Sequence, residues 1–225
     1  MDVRFLGHAA FELSDGAGTN VLIDPFLTGN PKAAVSADEL HPTTILLSHG
    51  HVDHVGDTIS IATRTGAEVV ATTELARELA EDGVQAHDTN LGGTDEFEWG
   101  SVKFVPAWHD SRTPKGAANV PAGLVIDFKG TIVYHLGDTA LFSDLQLVGR
   151  HRQVDIAIIP IGGHYTMDRH DAVDAADFVG AKTIIPCHYD TFPLIETDAG
   201  AFQTDIEKTL DAVCVVLEPG AVHQA

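Results

Sequence analysis

Seven consecutive residues restrict this chain more than anything else in it: Ser48-His49-Gly50-His51-Val52-Asp53-His54. They follow the apolar, β-branched stretch Thr43–Leu47, which reads as a strand, and precede a segment with helical spacing. Four metal-competent side chains thus fall within six residues, and donors at the end of a strand inherit a rigid position. Imidazole and carboxylate suit zinc, manganese or iron. In a turn after a strand, His49 and His51 can converge on one ion while Asp53 and His54 point toward a second.

Later strands deliver donors of the same kind. Val102–Ala107 leads to His109, Thr131–Leu136 to Asp138, and Lys182–Pro186 to His188. Each alone would pass for a capping or surface residue. Together they place a His or Asp at the same end of three independent strands. Two ions about 3.5–4 Å apart need a bridging carboxylate and several neutral imidazoles. Asp138 is the natural bridge in this set.

Around these strands run others, Val3–Leu6, Asn20–Ile23, Glu68–Ala71, Gly123–Phe128, Asp155–Ile159 and Val213–Leu217. Helical spacing appears over Val55–Thr65, Thr73–Asp82, Ala140–Val148, His170–Val179 and Ala201–Leu210, the first four each followed by a glycine that reads as a stop. Strands joined by short turns alternate with strands joined by helices, which argues for mixed sheets with helices outside. A chain of 225 residues with 44% hydrophobic content suits one domain, residues 1–225, with an ample core. Cys187 and Cys214 lie in apolar strand-like runs, where free cysteines serve as small core residues. No disulfide framework, secretory signal or membrane span is expected, and the cytoplasm is the default location. The net charge of −20 disfavours nucleic acid and anionic membranes as partners, and it leaves a homo-oligomer open.

Histidines outside the donor set divide into groups. His41, His87, His151, His170 and His223 read as surface residues, and His135, three residues before Asp138, as a core residue on the opposite strand face. His8 follows the first strand, and His164 follows Gly162-Gly163 beyond Asp155–Ile159. Both lie at the strand ends where the site should form. His164 is assigned a catalytic role, as hydrogen-bond donor to an oxyanion or proton donor to a leaving group. His8, Asn119 on the loop Asp110–Pro121, and Tyr165 are assigned to substrate binding. Asp24, before Pro25, reads as a structural acceptor for backbone N–H groups or a ligand histidine.

On these residues the sequence resembles the metallo-β-lactamase superfamily, whose HxHxDH motif is matched from His49 to His54. The resemblance extends over essentially the whole chain to a branch of bacterial and archaeal metal-dependent hydrolases, through Gly7-His8, Ile23–Pro31, Tyr134–Phe142 and His188–Pro193. It implies an αββα sandwich of two mixed sheets flanked by helices, with metals at one edge. His49, His51 and His109 would hold the first ion, Asp53, His54 and His188 the second, and Asp138 would bridge them. The run Met167–Asp171 departs from the branch pattern. The implied activity is hydrolysis of an ester-like bond, a lactone, phosphodiester, thioester or amide, in a small molecule. Two divalent ions, zinc before manganese or iron, would supply a hydroxide that Asp53 orients. No G-x-S-x-G elbow offers a serine nucleophile. A nuclease or cyclic-nucleotide phosphodiesterase on the same fold is the alternative enzyme, and a non-catalytic metal-binding module the alternative outside enzymes.

Overall fold

The computed structural model describes residues 1–225, the side chain of His151 excepted, so the surface assignment of His151 lies outside the described residues. The first half contributes β1 (Asp2–Gly7), β2 (Ala10–Ser14), β3 (Asn20–Ile23), β4 (Thr44–Leu46), α1 (Val52–Val55), α2 (Thr58–Thr65), β5 (Glu68–Ala71), α3 (Thr73–Glu81) and β6 (Ala86–Asp88). The second contributes β7 (Thr94–Phe97), β8 (Gly100–Pro106), β9 (Ala122–Phe128), β10 (Thr131–His135), α4 (Gln146–His151), β11 (Ile156–Pro160), α5 (Arg169–Val179), β12 (Thr183–Cys187), α6 (Ala199–Thr209), β13 (Val213–Cys214) and β14 (Val222–Gln224).

Each half follows one plan. An antiparallel meander, β1-β2-β3 or β7-β8-β9-β10, runs into parallel strands that need crossovers, and helices cover the outer faces. The result is two seven-stranded mixed sheets, β14-β1-β2-β3-β4-β5-β6 and β13-β12-β11-β10-β9-β8-β7. This is the αββα sandwich expected from the sequence. The period-2 alternation of the strands sorts side chains into layers. Val70 points between the sheets, into a core with Phe5, Phe11, Phe104, Leu124, Ile126 and Ile158. Its neighbours Val69 and Ala71 point outward, against Ile61, Leu75 and Leu79 of α2 and α3. Across the molecule, Ile132, Ala157 and Ile184 meet Ala172, Ala175, Phe202 and Ile206 of α5 and α6. Cys187 and Cys214 are free and buried in these cores, as anticipated. Among the described residues, no helix is long and apolar enough to cross a membrane.

Departures from the sequence expectations have local causes. Four short strands, β2, β6, β7 and β14, were not foreseen, and Val213–Leu217 pairs only over Val213–Cys214. The expected helix Val55–Thr65 is broken between α1 and α2. Gly56 adopts φ +42°, and a Cβ there would approach the Pro25 carbonyl to 2.3 Å. Asp57 then accepts hydrogen bonds from the backbone of Leu27 and Thr28, so the break locks the loop after β3 beneath the site. The expected helix Ala140–Val148 starts later, as α4, and Gly149 lies inside it and not beyond it. A Cβ on Gly149 would come within 2.7 Å of the Val179 carbonyl, so close approach of α5, not helix termination, explains this glycine. Asp168, within the run that departs from the family pattern, caps α5 by accepting from the amides of His170 and Asp171.

Candidate metal centre

Every donor named from the sequence as a metal ligand lies just beyond a strand or in the turn it feeds. β4 ends at Leu46, and the chain passes through Ser48 and His49 into α1, which carries Asp53 and His54. β8 delivers His109, β10 delivers Asp138 and β12 delivers His188. The strands bring these ends to one edge of the sandwich, where Oδ2 of Asp138 is surrounded by Nε2 of His188 at 3.1 Å, His54 at 3.3 Å, His109 at 3.6 Å and His49 at 4.0 Å. Nε2 of His49 stands 3.0 Å from Nδ1 of His51. The structure therefore gathers all seven.

The donor atoms fall into overlapping groups, in each of which one atom per residue lies within 4.8 Å of all the others: His49, His51 and His109; His49, His54 and Asp138; and His8, Asp53, His54 and His188. Donors around one ion stand at most about 4.2 Å apart, two bonds of about 2.1 Å, so small side-chain adjustments close these groups on an ion. Several buried atoms, Nε2 of His54, both ring nitrogens of His188 and Oδ1 of Asp138, have no hydrogen-bond partner among the described residues. Unpaired buried polar atoms are costly, and donors facing one point are the arrangement a cation satisfies. The residues fit divalent ions.

Electrostatics point the same way. Burial works against the charge on His54, yet the carboxylates of Asp138 and Asp24 beside it hold its pKa well above the ordinary value. Burial would likewise raise Asp138, but His188 and His54 keep it well below the usual carboxylate range. Without ions, the centre thus draws positive charge onto an imidazole. His49, buried and next to His54, is pushed well below the ordinary histidine value, and burial lowers His109 as well. Neutral imidazole is the form that binds metal.

Behind the donors lies a second layer of contacts. Asp24, fully buried at φ +44°, accepts from the Ser48 amide at 2.8 Å, the Ser48 hydroxyl at 2.6 Å and Nδ1 of His54 at 2.7 Å. It acts as the acceptor the sequence suggested, fixing the His54 ring through its far nitrogen. His135 belongs to the core: Nε2 donates to the Ala9 carbonyl, and Nδ1 accepts from the Gly137 amide. Six non-glycine residues have φ between 44° and 60°, and His8, Asp24 and His188 among them belong to this centre. Strain of this kind collects at functional sites.

The residues assigned to substrate and catalysis scatter. His8 is buried against Asp53, with Nε2 3.2 Å from its Oδ2, and burial takes its pKa down to about 4 despite that contact. It faces the donor cluster and not the cavity. Asn119, assigned to substrate from the sequence, does not line the cavity either. Its Oδ1 accepts from Ser111 and its Nδ2 donates to Thr72, so the amide ties down the loop whose Ser111 hydroxyl receives the Gly50 amide. Nor does His164, assigned to catalysis, line the cavity. Gly162-Gly163 does make a sharp turn, closed by the Gly163 amide on the Met167 carbonyl, but it swings His164 outward, exposed and edge-on to Tyr165. Tyr165 takes the place on the wall.

That wall encloses a cavity of about 530 Å³ over the donors. Its floor is His51, Asp53, His109, Asp138 and His188; its sides are Tyr165, Phe192, Pro193, Leu194 and Asp110. Phe192, Pro193 and Leu194 were missed in the sequence because nothing in a Phe-Pro-Leu run distinguishes a cavity wall from core.

Comparison with known proteins was consistent with this geometry. Residues 19–189 match the model of the beta-lactamase superfamily domain. A UPF0173 metal-dependent hydrolase of Symbiobacterium thermophilum is 45% identical over 226 residues, covering 99% of this chain and 99% of the relative. Another, from Natranaerobius thermophilus, is 42% identical over 220 residues, 98% of this chain and 97% of the relative. Among solved structures, Igni18, a metallo hydrolase from the hyperthermophilic archaeon Ignicoccus hospitalis, aligns with a TM-score of 0.90 at 34% identity over 99% of this chain and 97% of that one.

Proposed function

Because this chain belongs to the beta-lactamase superfamily and is a metal-dependent hydrolase, we propose that it cleaves an ester-like bond in an uncharged, partly apolar small molecule. The proposal includes two divalent ions, one at His49, His51 and His109, the other at Asp53, His54 and His188, with Asp138 between them. The observation that carries it is the separation of the donor atoms into two groups, one with His49 and one with His54, joined by a third made of His49, His54 and Asp138. Ions bound there supply a water activated near neutral pH and a Lewis acid for the bond under attack.

The chain's own residues do the rest. Asp53, on the cavity floor, is available to accept a hydrogen bond from the attacking water and so to orient it. Asp138 sets negative charge between the imidazole groups. Tyr165 offers a phenol at the rim, where its side chain is 52% exposed. Phe192, Pro193 and Leu194 supply an apolar side, and Leu194 is 59% exposed, free to be covered by a ligand.

Charge favours a neutral substrate. No Lys or Arg lines the cavity among the described residues, and the charged residue at its rim is Asp110. A phosphodiester strand or a substrate with a second anionic group would find no cation beyond the ions themselves, and the net charge of −20 opposes its approach. This argues against the nuclease reading. Residues 1–225 act as one domain on this view, because β14 at the C-terminus pairs with β1 and completes the N-terminal sheet.

The test is a substrate panel on metal-loaded protein, with p-nitrophenyl esters of rising acyl length, lactones and thioesters against bis-p-nitrophenyl phosphate. Each methylene covered by the wall contributes about 0.8 kcal/mol, so kcat/KM should rise about fourfold per methylene until the cavity is filled. Preference for the phosphodiester, or indifference to acyl length, would refute the substrate class.

A further inference from the structure

His8 is not explained by the ligand set taken from the sequence. It sits in the tight turn between β1 and β2 at φ +60°, a conformation rarely adopted by residues other than glycine, and its side chain is fully buried. The backbone is held there as well, since the His8 carbonyl accepts the His188 amide at 2.7 Å. Burying a polar ring in a strained turn is unfavourable unless the ring is used.

The contacts of the ring aim it at the donor cluster. Nδ1 of His8 lies 2.8 Å from the Thr191 hydroxyl, and Nε2 lies 3.2 Å from Oδ2 of Asp53, to which it donates in the absence of an ion. The Thr191 hydroxyl also reaches the Tyr189 carbonyl at 3.3 Å, so it is able to accept from Nδ1–H and leave the Nε2 lone pair for a cation. A ring nitrogen of His8 lies within 4.8 Å of donor atoms of Asp53, His54 and His188. His54 shows the same pattern, with its far nitrogen tied to Asp24 and its near nitrogen turned to the cluster.

We infer that His8 is a direct ligand of the second ion, held in register by Thr191. The inference rests on the two-ion reading. It gives the second ion His8, Asp53, His54 and His188 besides the shared Asp138, against His49, His51, His109 and Asp138 for the first. The two sites are then unequal. The richer donor set suits ions that accept six ligands, such as manganese or iron, better than four-coordinate zinc.

The test follows metal uptake and needs no substrate. Cobalt is titrated into metal-free wild type, His8→Ala and Thr191→Val in competition with a chelating dye, and each protein's fold is checked by circular dichroism. Thr191→Val keeps His8 and removes only its anchor, so it remains informative if His8→Ala fails to fold. Thr191→Val should weaken the second ion roughly 10–100-fold, the usual effect of losing a contact behind a ligand, and leave the first unchanged. His8→Ala should weaken it further. In protein loaded with cadmium-113 and labelled with nitrogen-15, Nε2 of His8 should show scalar coupling to cadmium. Two-ion uptake that neither variant alters, with no coupling at His8, overturns the inference alone. Wild-type uptake that stops at one ion overturns the two-ion reading and takes the inference with it.

Discussion

His54 is wedged between Asp24 and Asp138, and His8 between Thr191 and Asp53, all within the buried layer beneath the cavity. His51 and His109, by contrast, lean into the cavity, their rings 5.2 Å apart, and behind them the described residues offer no hydroxyl or buried carboxylate within hydrogen-bond distance. On one side two of the three rings, His8 and His54, are held from behind; on the other only His49 is, against the Ser48 hydroxyl, and His51 and His109 are carried on loops. Bracing fixes a ligand's orientation before an ion arrives, whereas an open site leaves room for water and substrate. On the two-ion proposal, the difference divides the tasks: the buried group would hold its ion, and the open group would share its ion with the substrate.

Removing the residue common to both sides should have the largest effect. Asp138→Ala should lower kcat by on the order of 10²–10³-fold or more and drop metal content below two ions per chain, with the circular dichroism spectrum retained. Near-normal turnover would mean that the two groups do not depend on a shared carboxylate. Asp24→Ala acts directly on the braced side and reaches His49 only through the Ser48 hydroxyl. It leaves the Ser48 amide, the Ser48 hydroxyl and Nδ1 of His54 without their acceptor, and should cost about 3–5 kcal/mol in urea denaturation of the metal-free protein. Affinity for the second ion should fall roughly 10–100-fold, with a smaller loss at the first. Equal losses at both ions would erase the distinction.

Smaller effects should come from the open side. Leu194→Ala removes part of a wall that is already half-exposed, so kcat/KM for long-chain esters should fall roughly fivefold, a fraction of a full leucine burial, with metal content untouched. A matching loss on acetyl esters would show that Leu194 supports the centre and not the substrate. The smallest change is expected at His164. His164→Gln should alter kcat by less than about twofold at any pH, the usual range for an exposed side chain. A pH-dependent fall in turnover would return His164 to the chemistry.

The braced and open sides were not equally legible in the sequence. The seven donors could be read because a strand end fixes where a residue goes, and because four of them stand together between His49 and His54. The sheets were legible wherever strands are apolar and β-branched. β7 and β14 were not, since Thr94–Phe97 and Val222–Gln224 are short edge strands with exposed residues, defined by pairing with partners elsewhere in the chain. The placements of His8 and Asn119 were not legible for a related reason. Their roles depend on contacts across 183 positions to Thr191 and 47 to Thr72, which no local pattern encodes. His164 differs: the glycines before it did predict a turn, but a turn does not say which of two neighbouring residues it presents, and Tyr165 is the one at the cavity rim.

The most direct measurement is the stepwise loading of metal-free protein with manganese, followed by native mass spectrometry and elemental analysis. The account predicts saturation at two ions per chain in two resolved steps, the tighter step weakened by Thr191→Val. Saturation at a single ion, or two steps of equal affinity that the variant leaves unchanged, would contradict it.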